Sequence, residues 1–92
     1  MAVRITHVRL SGSINHENIT NFRWIEEESS ETGSNTKASI VEFIDVQGVR
    51  AYVSSPNGRA EVGVIKPNGR VPYLRTYADG EWNNNLLSLP RF

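Results

Sequence analysis

Tyr73, Arg75 and Tyr77 alternate along one short run, and Arg59 stands in the β-rich run before it. Alternate residues of a strand share a face. A face that offers tyrosine rings and guanidinium groups can stack bases and meet phosphates, which is the chemistry of single-stranded nucleic-acid binding. Structural pairings compete for the same side chains: Tyr73 can cover Gly63, Arg75 can pair with Glu61, and Tyr77 can pack on Trp82. A second set, Trp24 with Leu86, Leu87 and Leu89, has the composition of an apolar patch that takes a protein partner or a second copy of the chain, as a homodimer. A free sheet edge near Arg50–Ser55 or Arg70–Tyr77 offers self-association by strand addition.

No other residues assemble into a catalytic, cofactor or metal set. There is no Gly-rich phosphate loop, no His-Glu-x-x-His and no nucleophile elbow. With no nucleophile–base pair to name, the reading is non-enzymatic, with no cofactor. His7 and His16 are isolated, and a metal site would need both to converge with a carboxylate such as Glu17. Asp79, Glu81, Asn83 and Asn85 alternate like the opening of a calcium loop. Asn84, however, stands where that loop needs glycine, and Pro90 where it needs a bidentate glutamate. Asn18-Ile19-Thr20 fits the glycosylation triplet and, without a secretion signal, reads as chance.

Composition narrows the class. The chain has 92 residues, 38% hydrophobic, with formal net charge +0 and no cysteine, so the expectation is one domain without a disulfide framework or thiolate metal site. No apolar run approaches membrane-spanning length, and Met1-Ala2-Val3-Arg4 lacks the core of a signal peptide. A cytoplasmic location without membrane attachment is expected. Zero net charge argues against tight nucleic-acid binding. The charge is nevertheless uneven: residues 1–46 hold seven acids against four bases, and residues 47–92 six bases against three acids.

The elements that must position these residues follow from turn signals. Pro-Asn-Gly-Arg occurs twice, at 56–59 and 67–70, with β-type sequence before, between and after. Asn-Gly between such runs is a hairpin signal. Two loop forms are open, a two-residue turn on Asn57-Gly58 and a three-residue loop in which Gly58 takes the left-handed bulge position. Proline at the first central position and better cross-strand pairs favour the second. It predicts a meander of Arg50–Ser55, Arg59–Lys66 and Arg70–Tyr77, with Tyr52 facing Val62, Val62 facing Leu74, Glu61 facing Arg75 and Gly63 facing Tyr73. Tyr52, Ala60, Val62, Val64, Pro72 and Leu74 then form the core face. Ala51, Val53, Arg59, Glu61, Gly63, Tyr73, Arg75 and Tyr77 form the other.

Upstream, Ala2–Leu10 and Ile19–Ile25 read as a loose hairpin, with a bulge near Thr6-His7 where the alternation changes phase. Glu26–Asn35 reads as a mobile acidic loop. Thr36–Gln47 reads as the helix, capped by Asn35 or Thr36 and ended by Gly48, with Ile40, Val41, Phe43 and Ile44 as its apolar stripe. Asp79-Gly80 marks another hairpin turn. The tail, residues 83–92, carries leucines that should dock on the domain or on a partner.

Gly58-Arg59-Ala60-Glu61-Val62-Gly63-Val64, Tyr73-Leu74-Arg75-Thr76-Tyr77-Ala78-Asp79-Gly80 and Asn85-Leu86-Leu87-Ser88-Leu89-Pro90 together resemble a family of short bacterial and phage-associated domains of unknown function. The resemblance implies a bacterial-type single domain and carries no activity or site. The expectation is therefore an α+β domain of strand-strand-helix-strand-strand-strand order, one helix packed on a twisted antiparallel sheet. Its role is a small non-enzymatic interaction or adaptor module, the alternative being a weak single-stranded nucleic-acid binder through Arg59, Tyr73, Arg75 and Tyr77.

Overall fold

The computed structural model describes residues 2–55, 58–78 and 80–92. The tip of the first Pro-Asn-Gly-Arg repeat (Pro56 and Asn57) and Asp79 lie outside the described residues. The chain runs β1 (Ala2–Leu10), β2 (Ile19–Glu26), β3 (Thr32–Thr36), α1 (Lys37–Asp45), β4 (Arg50–Ser55), β5 (Gly58–Ile65), β6 (Tyr73–Ala78) and β7 (Glu81–Asn83), with 3-10 turns at His16–Asn18 and Asn85–Ser88. Among the described residues the strands form one seven-stranded sheet, in the order β3-β2-β1-β4-β5-β6-β7. No helix among them is long and apolar enough to cross a membrane.

The α+β class is right; the element order and the purely antiparallel sheet are not. β1 pairs β2 antiparallel but β4 in parallel, Val3 opposite Ala51. The expected bulge is present as a register shift between Ile5 and His7. One strand was not foreseen, β3, whereas β7 follows the hairpin turn expected at Asp79-Gly80 and pairs antiparallel with β6. The end of the expected loop, from Thr32 on, belongs to β3 (Thr32–Thr36), an edge strand on β2 with Gly33 opposite Trp24 and Asn35 opposite Phe22. The described sheet therefore ends in β3 and β7. The runs Arg50–Ser55 and Arg70–Tyr77, expected as edges, are largely interior: β4 lies between β1 and β5, and β6 between β5 and β7.

The meander exists, but both registers differ from expectation. Ser55 pairs with Gly58, and Tyr52 faces Glu61 instead of Val62. This one-residue slip turns β4 over, so Ala51 and Val53 face the core. The cause is long-range: pairing with Val3 puts Ala51 on the core side of β1, and that outweighs the local turn preference. Between β5 and β6 the slip is two residues. Val62 faces Thr76, Gly63 faces Arg75 and Glu61 faces Tyr77. Here Pro72 has no N–H for a ladder, β6 starts only at Tyr73, and a turn closed by Arg70 N–H on Pro67 O (3.3 Å) puts Asn68-Gly69 at its tip.

The core lies on one side of the sheet. Val3, Ile5, Val8, Ile19, Phe22, Ala51, Val53, Val62 and Leu74 are buried there with Ile40 of α1 and Leu86 of the tail. Thr36 caps α1, its hydroxyl accepting the Ser39 N–H at 3.3 Å. Gly48 (φ 71°) follows the helix in the left-handed region, and the Val49 N–H returns to Phe43 O at 2.9 Å. The helix lies across β2, β3, β5 and β6. Ile40 is its one fully buried residue among those described, while Phe43 is half-buried. The tail docks on its own domain: Leu86 is buried, Leu87 and Leu89 pack against the core, and Pro90 O and Phe92 N bond to Val8 at 3.0 and 3.3 Å.

Candidate nucleic-acid interface

Opposite the core, ladder parity gathers the basic and aromatic residues. A two-residue slip preserves faces, so Arg59 of β5 and Tyr73, Arg75 and Tyr77 of β6 share one side despite the changed register. Because β4 is turned over, Arg50 and Tyr52 join them. The parallel pair Arg4–Tyr52 extends the face to β1, and the pairs Arg4–Ile25, His7–Arg23 and Arg9–Asn21 extend it to β2. At the far side Trp82 joins opposite Tyr77. Arg4, Arg9, Arg23, Arg50, Arg59 and Arg75 therefore all project from one side of the sheet. The acids that meet them are Glu61 and, from the β2–β3 turn, Glu27.

Three local clusters organise this face. In the first, the Arg59 guanidinium lies 3.7 Å from the centroid of the Tyr52 ring. Arg59 Nη2 reaches Glu27 Oε1 at 2.7 Å, and the Tyr52 hydroxyl donates to that same oxygen at 2.8 Å. These contacts hold the Glu27 carboxyl below its usual range, the Tyr52 hydrogen bond first and the Arg59 charge next, and they raise the Arg59 pKa. Arg50 pairs with Glu61 at 2.6 Å beside them. The foreseen Glu61–Arg75 pair is absent because Arg75 lies opposite Gly63.

In the second cluster Tyr77 meets Trp82 edge-on, centroids 5.3 Å apart. The Trp82 ring covers Gly63, where a β-carbon would come within 3.2 Å of it. Trp82 thus takes the covering role expected of Tyr73. Tyr77 and Trp82 remain 41% and 45% exposed, available for stacking. Arg75 Nε points toward Asn83 O at 3.5 Å, a long contact that leaves its guanidinium weakly held. Tyr73 borders a shallow hollow with Asn15, His16 and Glu17. There the His16 Nε2 is buried without a hydrogen-bond partner, and burial, then the Arg75 charge, lower the His16 pKa.

The third cluster was not visible in sequence. The Phe92 ring has the Arg9 guanidinium 4.5 Å and the Arg23 guanidinium 4.6 Å from its centroid, with the His7 ring edge-on at 6.4 Å. Arg9 Nε also donates to Phe92 O at 2.9 Å. A flat ring held by guanidinium groups is the arrangement by which arginine takes a base. Arg9 beside Val8, and Arg23 between Phe22 and Trp24, carry the alternation that signals a polar face. Nothing local places Phe92 on it.

The apolar set is not brought together as an exposed patch. Leu86 is fully buried, Leu87 and Leu89 fasten the tail, and Trp24 is half-buried with its indole N–H donated to Asn35 Oδ1 at 2.8 Å. Among the described residues no three His, Cys, Asp or Glu side chains are grouped to hold a metal ion. No curated protein and no solved structure matches the chain. The strands, helix and leucine tail described above nevertheless fall within one recognised sequence pattern: over residues 4–90 the chain matches, and belongs to, the family described as "Protein of unknown function (DUF3892)".

Proposed function

We propose that this domain is a small non-enzymatic interaction module of the bacterial cytoplasm, and that the arginine-rich side of its sheet is its working surface. The partner best suited to that surface is a single-stranded nucleic acid. The observation that carries this reading is the collection of Arg4, Arg9, Arg23, Arg50, Arg59 and Arg75 on one side, interleaved with Tyr52, Tyr73, Tyr77, Trp82 and Phe92. Net charge, zero for the whole chain, is the wrong measure for a phosphate backbone that meets one face only.

Arg50 and Arg59 are ion-paired and position the face. Arg4, Arg9, Arg23 and Arg75 have no acidic side-chain partner among the described residues and remain for phosphate. Four phosphate contacts give a slope of log K against log salt of about −3 for a single strand, at roughly −0.7 per contact. The test is an amide-shift titration with a mixed-sequence single-stranded RNA at low and near-physiological salt. Shifts at residues of this face that weaken with that slope are expected. Absence of shifts at low salt refutes the reading, and shifts confined to the helix side would move the interface elsewhere.

A further inference from the structure

The core side of the sheet is not completely filled beneath α1. A cavity of about 220 Å³ is lined by Val3, Trp24, Ile40, Phe43 and Val49, together with Glu31 and Gln47. Val3 and Ile40 are buried, whereas Glu31 and Gln47 are exposed, so the polar residues mark the mouth. The apolar wall is preset. Trp24 lies against Gly33 so closely that a β-carbon there would come within 2.5 Å of Cζ2. Its indole N–H is already satisfied by Asn35 Oδ1, which leaves the ring to offer an apolar surface. A dry, apolar cavity of about 150 Å³ is enough to bind benzene.

The mouth adds a sign preference. Glu31 has no cationic partner among the described residues, whose ion pairs join Arg50–Glu61, Arg59–Glu27, Lys66–Asp45 and Arg70–Glu17. Nearby in the chain, Glu26 turns inward to accept the Ser29 N–H at 2.8 Å, and Glu28 adds further negative charge. We infer that this cavity is a binding site for a small cationic amphiphile. One aromatic ring enters against Trp24, Ile40 and Phe43, and an ammonium head stays at the mouth with the Glu31 carboxylate and the Gln47 amide oxygen. The site is independent of the arginine face, which lies on the other side of the sheet.

The test uses the full chain with Trp82→Phe, so that Trp24 alone reports by fluorescence. The probes are phenethylamine, phenethyl alcohol and 3-phenylpropionate. Phenethylamine should give a saturable Trp24 response and contacts to Val3 and Ile40 methyl protons. It should bind about two- to fivefold tighter than the alcohol, the range of a solvent-exposed ion pair, and the anion should bind weakest. Glu31→Gln should remove the charge preference while the alcohol still binds. Val49→Phe should fill the space and abolish all three responses; the methyl contacts in the parent chain locate the probe even if that variant folds poorly. No saturable response up to millimolar probe, equal or tighter binding of the anion, or contacts to methyls outside this cavity would overturn the inference.

Discussion

Leu86→Ala tests whether the tail is part of the domain in solution. Leu86 is 0% exposed and belongs to the core cluster with Val53 and Leu74. Its backbone N–H lies 3.4 Å from Thr76 Oγ1, which donates to Asn83 Oδ1, and that oxygen also accepts the Asn85 N–H. Truncation at the β-carbon leaves these backbone bonds in place and removes only packing. Three buried carbons at about 0.8 kcal/mol each give a transfer loss of about 2.4 kcal/mol, and the residual cavity brings the usual total for buried Leu→Ala to about 3–5 kcal/mol. A domain of this size has about 5–14 kcal/mol in all. At about 4–8 °C per kcal/mol, a loss of 3 kcal/mol lowers Tm by about 12–24 °C. Urea unfolding followed by tryptophan fluorescence should show a lower midpoint with an unchanged m-value. Leu87→Ala, at a half-buried site, should cost less than half as much. A loss below about 1 kcal/mol for Leu86→Ala, with a native amide spectrum, would mean that the tail leaves the domain in solution and that the docking described above is wrong.

Gly33→Ala should cost about 1–3 kcal/mol, because its β-carbon would strike the fixed Trp24 ring. Gly63→Ala, facing the exposed and movable Trp82 ring, should cost less than about 1 kcal/mol; equal losses in urea would show that Trp24 is not pinned. Phe92→Ala removes two exposed cation–π contacts and should cost about 1–2 kcal/mol; full recovery of stability in Phe92→Leu would assign the effect to bulk alone. The folded His16 value lies below its ordinary 6.5, so the neutral ring is favoured by folding. Stability is whole above about pH 6.5 and falls as pH drops from there toward the folded value. His16→Gln should flatten that part of a Tm-against-pH curve, and an unchanged slope would remove His16 as its source. Glu26, lowered from 4.5 chiefly by its hydrogen bonds with Ser29, stabilises above that value and loses the contribution as pH falls through its folded value. Glu26→Gln should reduce the acid limb below pH 4.5, and a parent-like limb would refute the assignment.

Local signals were legible where one stretch of chain decides the outcome. Thr36 caps α1, the β1–β2 hairpin carries its bulge between Ile5 and His7, and Gly80 turns β6 into β7 with φ 80°. The edge strand β3 was not legible, because Thr32-Gly33-Ser34-Asn35-Thr36 has no apolar residue to suggest burial. Its place depends on Trp24: Gly33 clears the ring, and Asn35 takes the indole N–H. Ile40, Val41, Phe43 and Ile44 read as one apolar stripe of the helix, yet Ile40 alone of them is fully buried and Phe43 borders a cavity. Helical spacing identifies a stripe of residues but does not say which member of the stripe sits over the centre of the sheet.

The two register errors differ in consequence, and the difference explains what of the candidate site was readable. A slip of two in β6 exchanged every partner of Arg75 and Tyr73 yet kept them on the side of Arg59 and Tyr77, because side chains alternate with period two. A slip of one in β4 reversed a strand, brought Tyr52 and Arg50 to the basic side and sent Ala51 and Val53 into the core. That reversal was set by β1, far away in sequence. The part of the face carried by β5 and β6 was therefore legible from one meander. The part contributed by Arg4, Arg9, Arg23 and Phe92 required the parallel β1–β4 pair and the return of the tail to Val8. The same pairing explains how a chain of zero net charge presents arginines on one side of its sheet, while Glu28 and Glu31 lie in the β2–β3 turn next to Glu26 at the end of β2. Composition averages over faces, whereas strand parity separates them.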